Sequence, residues 1–152
     1  MPKTKRHITT AVMALLIIAI ALSLTTFAAI SEAKAPPPNG KVTGSADLGV
    51  YSNSACTTPL SSINWGNLTA GGKITQTIYI KNTSNSLALT LRMGTSNWTP
   101  TSANGPITLT WNQEGKRLQP GQSVAATLTL TVSSNIADVT NFSVQISITG
   151  TN

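Results

Sequence analysis

A chain of 152 residues has room for one domain, and its formal charge of +6 comes from ten Lys and Arg against four Asp and Glu. Lys3, Lys5 and Arg6 supply three of those cations and the others are scattered except for Lys116-Arg117, so the clustered basic face of a nucleic-acid binder is missing. The single histidine, His7, lies in the same leading segment, which leaves the rest of the chain without a Ser-His or Cys-His pair and argues against an enzyme.

Met1 to His7 is followed by AVMALLIIAIALSL, Ala11 to Leu24, inside an uncharged run from Ile8 to Ser31. These are the n-region and h-region of a secretory signal. Ser31-Glu32-Ala33, ahead of Lys34, is a small-x-small cleavage site; Ala33-Lys34-Ala35 is a second, disfavoured because Pro36 would follow the cut. Left uncleaved, the same run approaches the roughly 20 residues of a membrane helix. Residues 1–33 are therefore a signal peptide or a membrane anchor, the only segment expected to touch a membrane, and the remainder of the chain is expected to be secreted or at the cell surface. Lys34 to Lys41, KAPPPNGK, reads as a stiff linker, since consecutive prolines offer no backbone donors.

From there to Asn152 the hydrophobic period is two. Apolar residues alternate with Thr or Ser in Ile74 to Lys81, Leu87 to Met93, Ile107 to Trp111, Val124 to Val132 and Phe142 to Thr149, with weaker strands at Ala46 to Tyr51 and Ile63 to Trp65. The alternation assigns faces: Val124, Ala126, Leu128, Leu130 and Val132 point one way, as do Phe142, Val144, Ile146 and Ile148, while Thr127, Thr129, Thr131, Ser143, Gln145 and Ser147 point the other. One dry and one wet face per strand is the pattern of antiparallel sheets packed in a sandwich. Turns fall at Ala70-Gly71-Gly72, Asn104-Gly105-Pro106, Glu114-Gly115 and Pro120-Gly121. A phrase is also written twice: Leu68, Gly71, Ile74, Thr77, Ile78 and Ile80 match Leu118, Gly121, Val124, Thr127, Leu128 and Leu130 at a constant offset of fifty residues. Each copy reads as a leucine plug, a Gly turn and a strand re-entering the sheet, a device reused at two corners rather than a true repeat.

Little chemistry is available. The acids Asp47, Glu114 and Asp138 fall on separate turns or strand edges, too dispersed for a paired-carboxylate site. No Cys/His cluster or D-x-D-x-D loop exists, so neither a metal nor another cofactor is expected. Cys56, alone in an oxidising compartment, is a buried small hydrophobe, an intermolecular bridge or a free thiol, with burial the general tendency. The sequons at Asn67, Asn82, Asn97 and Asn141 are glycosylation candidates, Asn82 first because it sits in the turn-like KNTSNS; Pro100 directly follows the Asn97 sequon and counts against it. Trp65 and Trp111 fall in phase with core positions. Trp98, in the polar stretch Thr95 to Thr101, is the candidate exposed aromatic.

Trp65-Gly66, Leu68 and Gly72, the strand end Lys81-Asn82-Thr83, Leu89 and Leu91, Asn97-Trp98 with Pro100, and Leu118, Pro120, Gly121 and Ser123 together resemble secreted immunoglobulin-like domains common in archaeal surface proteins, across nearly the whole exported region. The chain is similar, more faintly, to CARDB-like adhesion domains of bacteria, and Ile63 to Met93 resembles part of TasA-type matrix proteins and archaeal bundling pilins. The resemblance implies an all-β, immunoglobulin-like antiparallel sandwich of about seven strands over residues 42–152. An antibody-type domain is excluded, because that subclass needs a Cys pair around its Trp.

Two functions fit these features. One is a non-catalytic structural or adhesive surface protein, including a filament subunit that lends an N-terminal arm to a neighbour's sheet edge. The candidate arm is Lys41 to Tyr51, with Val42, Leu48 and Val50 as its apolar residues; the simpler reading makes it the first strand of its own domain. The other function is a membrane-anchored monomeric module for glycans or a surface-layer partner. The expected partners are accordingly further copies of the chain, other cell-surface proteins or glycans. Surface polarity supplied by Ser, Thr, Asn and Gln rather than by charge favours close association or glycan cover.

Overall fold

The computed structural model describes residues 38–152 apart from Asp138. The expected signal peptide or membrane anchor at 1–33 and the expected linker residues 34–37 lie outside the described residues.

Nine strands are formed, in chain order: β1 (Asn39–Gly44), β2 (Leu48–Tyr51), β3 (Ser62–Asn64), β4 (Lys73–Asn82), β5 (Leu89–Thr99), β6 (Ile107–Trp111), β7 (Arg117–Leu118), β8 (Ser123–Val132) and β9 (Ser143–Thr151), with a single 3-10 turn at Thr101–Ala103 among the described residues. They build a five-stranded sheet ordered β3-β1-β9-β5-β7 and a four-stranded sheet ordered β2-β4-β8-β6. The period-two pattern dictates how these sheets meet. Ile78 and Ile80 of β4, Leu128 and Leu130 of β8, Leu89 and Leu91 of β5, and Val144, Ile146 and Ile148 of β9 all turn inward and are buried in one core. The result is an all-β sandwich whose two wet faces carry the intervening Thr, Ser, Gln and Lys.

The repeated phrase has a structural meaning. Its two strands, β4 and β8, are each 10 residues long and are direct antiparallel neighbours in the four-stranded sheet. The pairs Lys73↔Thr131, Thr77↔Thr127 and Lys81↔Ser123 all have residue numbers that sum to the same value, so the fifty-residue offset maps the ladder onto itself about Thr77↔Thr127. The turns before the strands match as well. Gly71 and Gly121 adopt φ of 73° and 74°, and the following amides, Gly72 N and Gln122 N, donate to Thr69 O and Gln119 O at 2.9 and 3.0 Å. Beyond the ladder, Asn82 N donates to Gln122 O and Val132 N to Gly72 O, each at 2.9 Å. The same words thus stand in equivalent positions about a local two-fold, each strand entering from a left-handed glycine that a side chain would strain. Leu118 is buried as a plug; its counterpart Leu68 is only half-buried.

Several expectations are corrected. Among the described residues the strand count is nine rather than about seven, because β1 and the two-residue β7 form in addition to the seven expected strands. The linker does not extend to Lys41, and the sandwich does not begin at residue 42. Asn39, Gly40 and Lys41 are already in β1, where the prolines before them no longer obstruct pairing. Pairing is not antiparallel throughout either, since β1 runs parallel to β9 from Asn39↔Ser143 to Gly44↔Ile148. Trp65 is buried as expected, while Trp111 sits at the rim of the core, half-buried, its indole N–H donating to Glu114 Oε2 at 2.8 Å. The same carboxylate oxygen accepts from Met93 N at 3.2 Å, so Glu114 closes the turn between β6 and β7. Its Arg92 contact, at 3.9 Å on the surface, adds little by comparison.

Candidate functional site

β1 occupies an unusual position for a strand at the start of a domain. It lies inside its sheet, hydrogen-bonded parallel to β9 on one side and antiparallel to β3 on the other through Asn39↔Asn64, Gly40↔Ile63 and Lys41↔Ser62. Yet its sequence, NGKVTG, sends one large side chain into the core. Val42 is 4% exposed, while the other positions on its side of the strand are the buried Gly40 and, at the exposed strand end, Gly44. Gly40 fits closely over what lies beneath it: a Cβ there would stand 3.0 Å from Ile146 Cδ1 and 3.2 Å from Trp65 Nε1, so both side chains would have to shift. β1 is therefore a smooth insert, held by main-chain hydrogen bonds and one valine. Burial of that valine contributes about 1.5–3 kcal/mol, and each ladder bond roughly 0.5–1.5 kcal/mol.

The connection at its far end is equally particular. Three residues, Ser45 to Asp47, carry the chain from β1 in one sheet to β2 in the other, closed by Leu48 N donating to Ser45 O at 3.0 Å. A Cβ at Gly44 would collide with the Leu48 carbonyl, so the corner is tight enough to demand glycine. Among the described residues β1 is the first element, joined to the rest of the domain on its C-terminal side by this corner. On its outward side, Asn39, Lys41, Ser62, Asn97, Ser143 and Gln145 are among the residues that line a shallow open groove of about 410 Å³ across the seam between β3, β1 and β9.

The candidate arm residues Val42, Leu48 and Val50 are all buried in their own domain, which is the simpler of the two readings within one copy. They do not form one continuous strand: Val42 belongs to the five-stranded sheet, Leu48 and Val50 to the other, where β2 pairs with β4.

The sequons separate by burial. Asn82, expected first, is 0% exposed. Its Nδ2 donates to Leu87 O at 2.8 Å and Leu118 O at 3.1 Å, and its Oδ1 accepts from Ser84 N at 2.9 Å. The turn-like KNTSNS is thus organised around the asparagine side chain instead of displaying it, and the folded domain cannot carry a glycan there. Asn97 is exposed at φ 52° in the irregular stretch of β5, with its Nδ2 on Gln145 Oε1 at 2.7 Å. Asn141 is half-buried and its Oδ1 accepts from Phe142 N. Asn67 is exposed in the open segment after Trp65, and its side chain, unlike that of Asn97, makes no hydrogen bond among the described residues. Glycopeptide mapping of the folded protein should accordingly find Asn82 unmodified, with any occupancy at exposed sequons such as Asn67; glycosylated Asn82 in folded material would contradict this burial.

Two further expectations change. Trp98 is not an exposed platform: it is 7% exposed, stacked on Phe142 with ring centroids 5.8 Å apart. The polar letters around it are the wet side of a strand and its irregular end, and carry no information about the ring itself. Cys56 is half-buried in a surface loop, at φ 51°, instead of in the core. That loop is tied by Asn53, whose Oδ1 accepts from Thr57 N and Thr58 N at 3.0 Å. No local sequence signal marks β1 as the strand of interest, because its pattern of one apolar residue between glycines is weak by any periodicity measure.

No family model, curated protein or solved structure matches the chain.

Proposed function

We propose that this chain is a non-catalytic structural or adhesive protein of the cell surface, whose copies assemble into filaments by exchanging β1, so that the slot between β3 and β9 of one copy receives the strand of the next. The observation that carries the reading is the slot: an N-terminal strand in the interior of a sheet, with one side chain in the core and a three-residue corner as its tether. Short, tight hinges favour swapping over closure within one copy. Because the donating and accepting surfaces differ, each exchange leaves a free strand and a free slot at opposite ends, which extends into a filament unless the ring closes.

Reading the sandwich as immunoglobulin-like belongs to the same proposal. In that architecture strands A, B, E and D form one sheet and C, F and G the other. In chain order β2, β4, β5, β6, β8 and β9 correspond to A, B, C, D, E and F, and their sheet neighbours agree with this assignment. The position beside F is filled by β1, running parallel where a following G strand would return antiparallel. A strand held at that position by main-chain pairing can be supplied by a neighbouring copy as well as by its own chain. Export by way of residues 1–33 belongs to the same proposal.

Covalent trapping tests it. Thr43 and Ser147 face outward as partners on β1 and β9, and neighbouring strands about 4.8 Å apart meet the Cα separation of a disulfide. In a Cys56→Ser background, Thr43→Cys with Ser147→Cys should yield a ladder of reducible oligomers when the protein is oxidised as isolated from cells. A single monomeric band carrying the disulfide would mean that β1 stays in its own domain, and the exchange proposal would fail.

A further inference from the structure

The outer face of the four-stranded sheet is remote from the β1 slot and has a chemistry of its own. Register sets Tyr51 of β2 opposite Tyr79 of β4, and Tyr79 opposite Ala125 of β8. The Tyr51 side chain does not rise from the sheet. It lies back along its own strand over Gly49, where a Cβ would collide with the ring and its hydroxyl. Glycine at 49 is therefore what allows the ring to lie down on the outer face, half-exposed, beside a second half-exposed tyrosine and near the small Ala125, with Lys81 opposite Gly49.

From this pair the face continues as a grid of hydroxyl and methyl groups. The Thr-x-Thr runs Thr75 to Thr77, Thr108 to Thr110 and Thr127 to Thr131 stand in adjacent strands, with Thr75↔Thr129 and Thr110↔Thr129 in register. The grid is uncharged: the cations on β4, Lys73 and Lys81, stand at its two ends, and Asp47 sits at the corner near Lys81. At about 3.4 Å per residue and 4.8 Å per strand, it measures roughly 30 by 15 Å. A second copy is a poor occupant, because two-fold stacking of this face brings its lysine ends together and buries threonine hydroxyls against one another. An ionic partner finds no charge at the centre.

We infer that this face binds a neutral polysaccharide, its apolar ring face packed on Tyr51 and Tyr79 and its hydroxyls exchanging hydrogen bonds with the threonine rows. Both halves of that chemistry are needed for a sugar, which presents C–H groups on its ring faces and hydroxyls around its rim. The site does not depend on β1 exchange, since β2, β4, β6 and β8 form it within one copy.

The test is retention of the exported protein on immobilised cellulose, chitin and a neutral β-1,3-glucan, with alginate as the anionic control. Retention on at least one neutral polymer is expected to persist at about 1 M salt, where screening acts within about 3 Å. Tyr51→Ala and Tyr79→Ala should each weaken it roughly tenfold while leaving the circular dichroism spectrum unchanged. Thr129→Asp, which alters the grid without touching the core, should weaken it as well and provides a check should either tyrosine variant misfold. Failure to bind any neutral polymer, retention on alginate alone that salt abolishes, or retention indifferent to all three substitutions overturns the inference.

Discussion

Asn82→Asp should remove more stability than any change to a surface asparagine, about 3 kcal/mol or more, read as a large fall in the urea midpoint. The side chain is fully enclosed and its amide nitrogen donates to two carbonyl oxygens, Leu87 O and Leu118 O, from segments on either side of it. Aspartate turns an oxygen toward both carbonyls and buries a charge among them. Asn82→Ala removes the repulsion but leaves the two carbonyls and Ser84 N unpaired in a small void, which costs about 2–4 kcal/mol. Asn67→Asp and Asn67→Ala, at an exposed site, should stay within about 0.5 kcal/mol of the parent. Equal effects at the two positions would mean that Asn82 does not hold the β4 end, the 84–87 turn and Leu118 together.

Leu128→Asp should abolish the cooperative unfolding transition, whereas Thr129→Asp should leave it nearly unchanged. Leu128 is 0% exposed in the middle of β8, paired with Gln76 on one side and Trp111 on the other, and an aspartate there has no partner for its charge. One residue later the chain faces water between Thr75 and Thr110, where a carboxylate remains solvated. Circular dichroism during denaturant titration separates the two outcomes. Comparable damage from both substitutions would overturn the face assignment that organises the sandwich.

The strands of the core are legible because each carries enough alternating positions to identify its face. β8 and β9 follow their patterns almost residue by residue, and the glycines at 71, 105, 115 and 121 mark turns where φ is positive. Local reading fails where a property depends on distant neighbours. KNTSNS has the composition of an exposed turn, but Leu118, far along the chain, supplies a carbonyl that draws Asn82 inside. Trp98 stands among polar letters, yet Phe142 covers its ring. The general habits of free cysteine place Cys56 inside, but they carry no information about the loop that Asn53 ties.

The sequence by itself determined the all-β class, the inward and outward faces of the long strands and the poverty of catalytic groups. These rest on local periodicity and on an inventory of side chains, which need no knowledge of what packs where. Only the tertiary structure decided that the repeated phrase makes two neighbouring strands related by a local two-fold, that β1 lies inside a sheet and runs parallel to the last strand, and that two tyrosines 28 positions apart meet on one face. Pairing partners and order within a sheet are long-range choices: main-chain hydrogen bonds are the same for every residue type but proline, so a strand's letters state which side is dry without stating which strand will lie beside it.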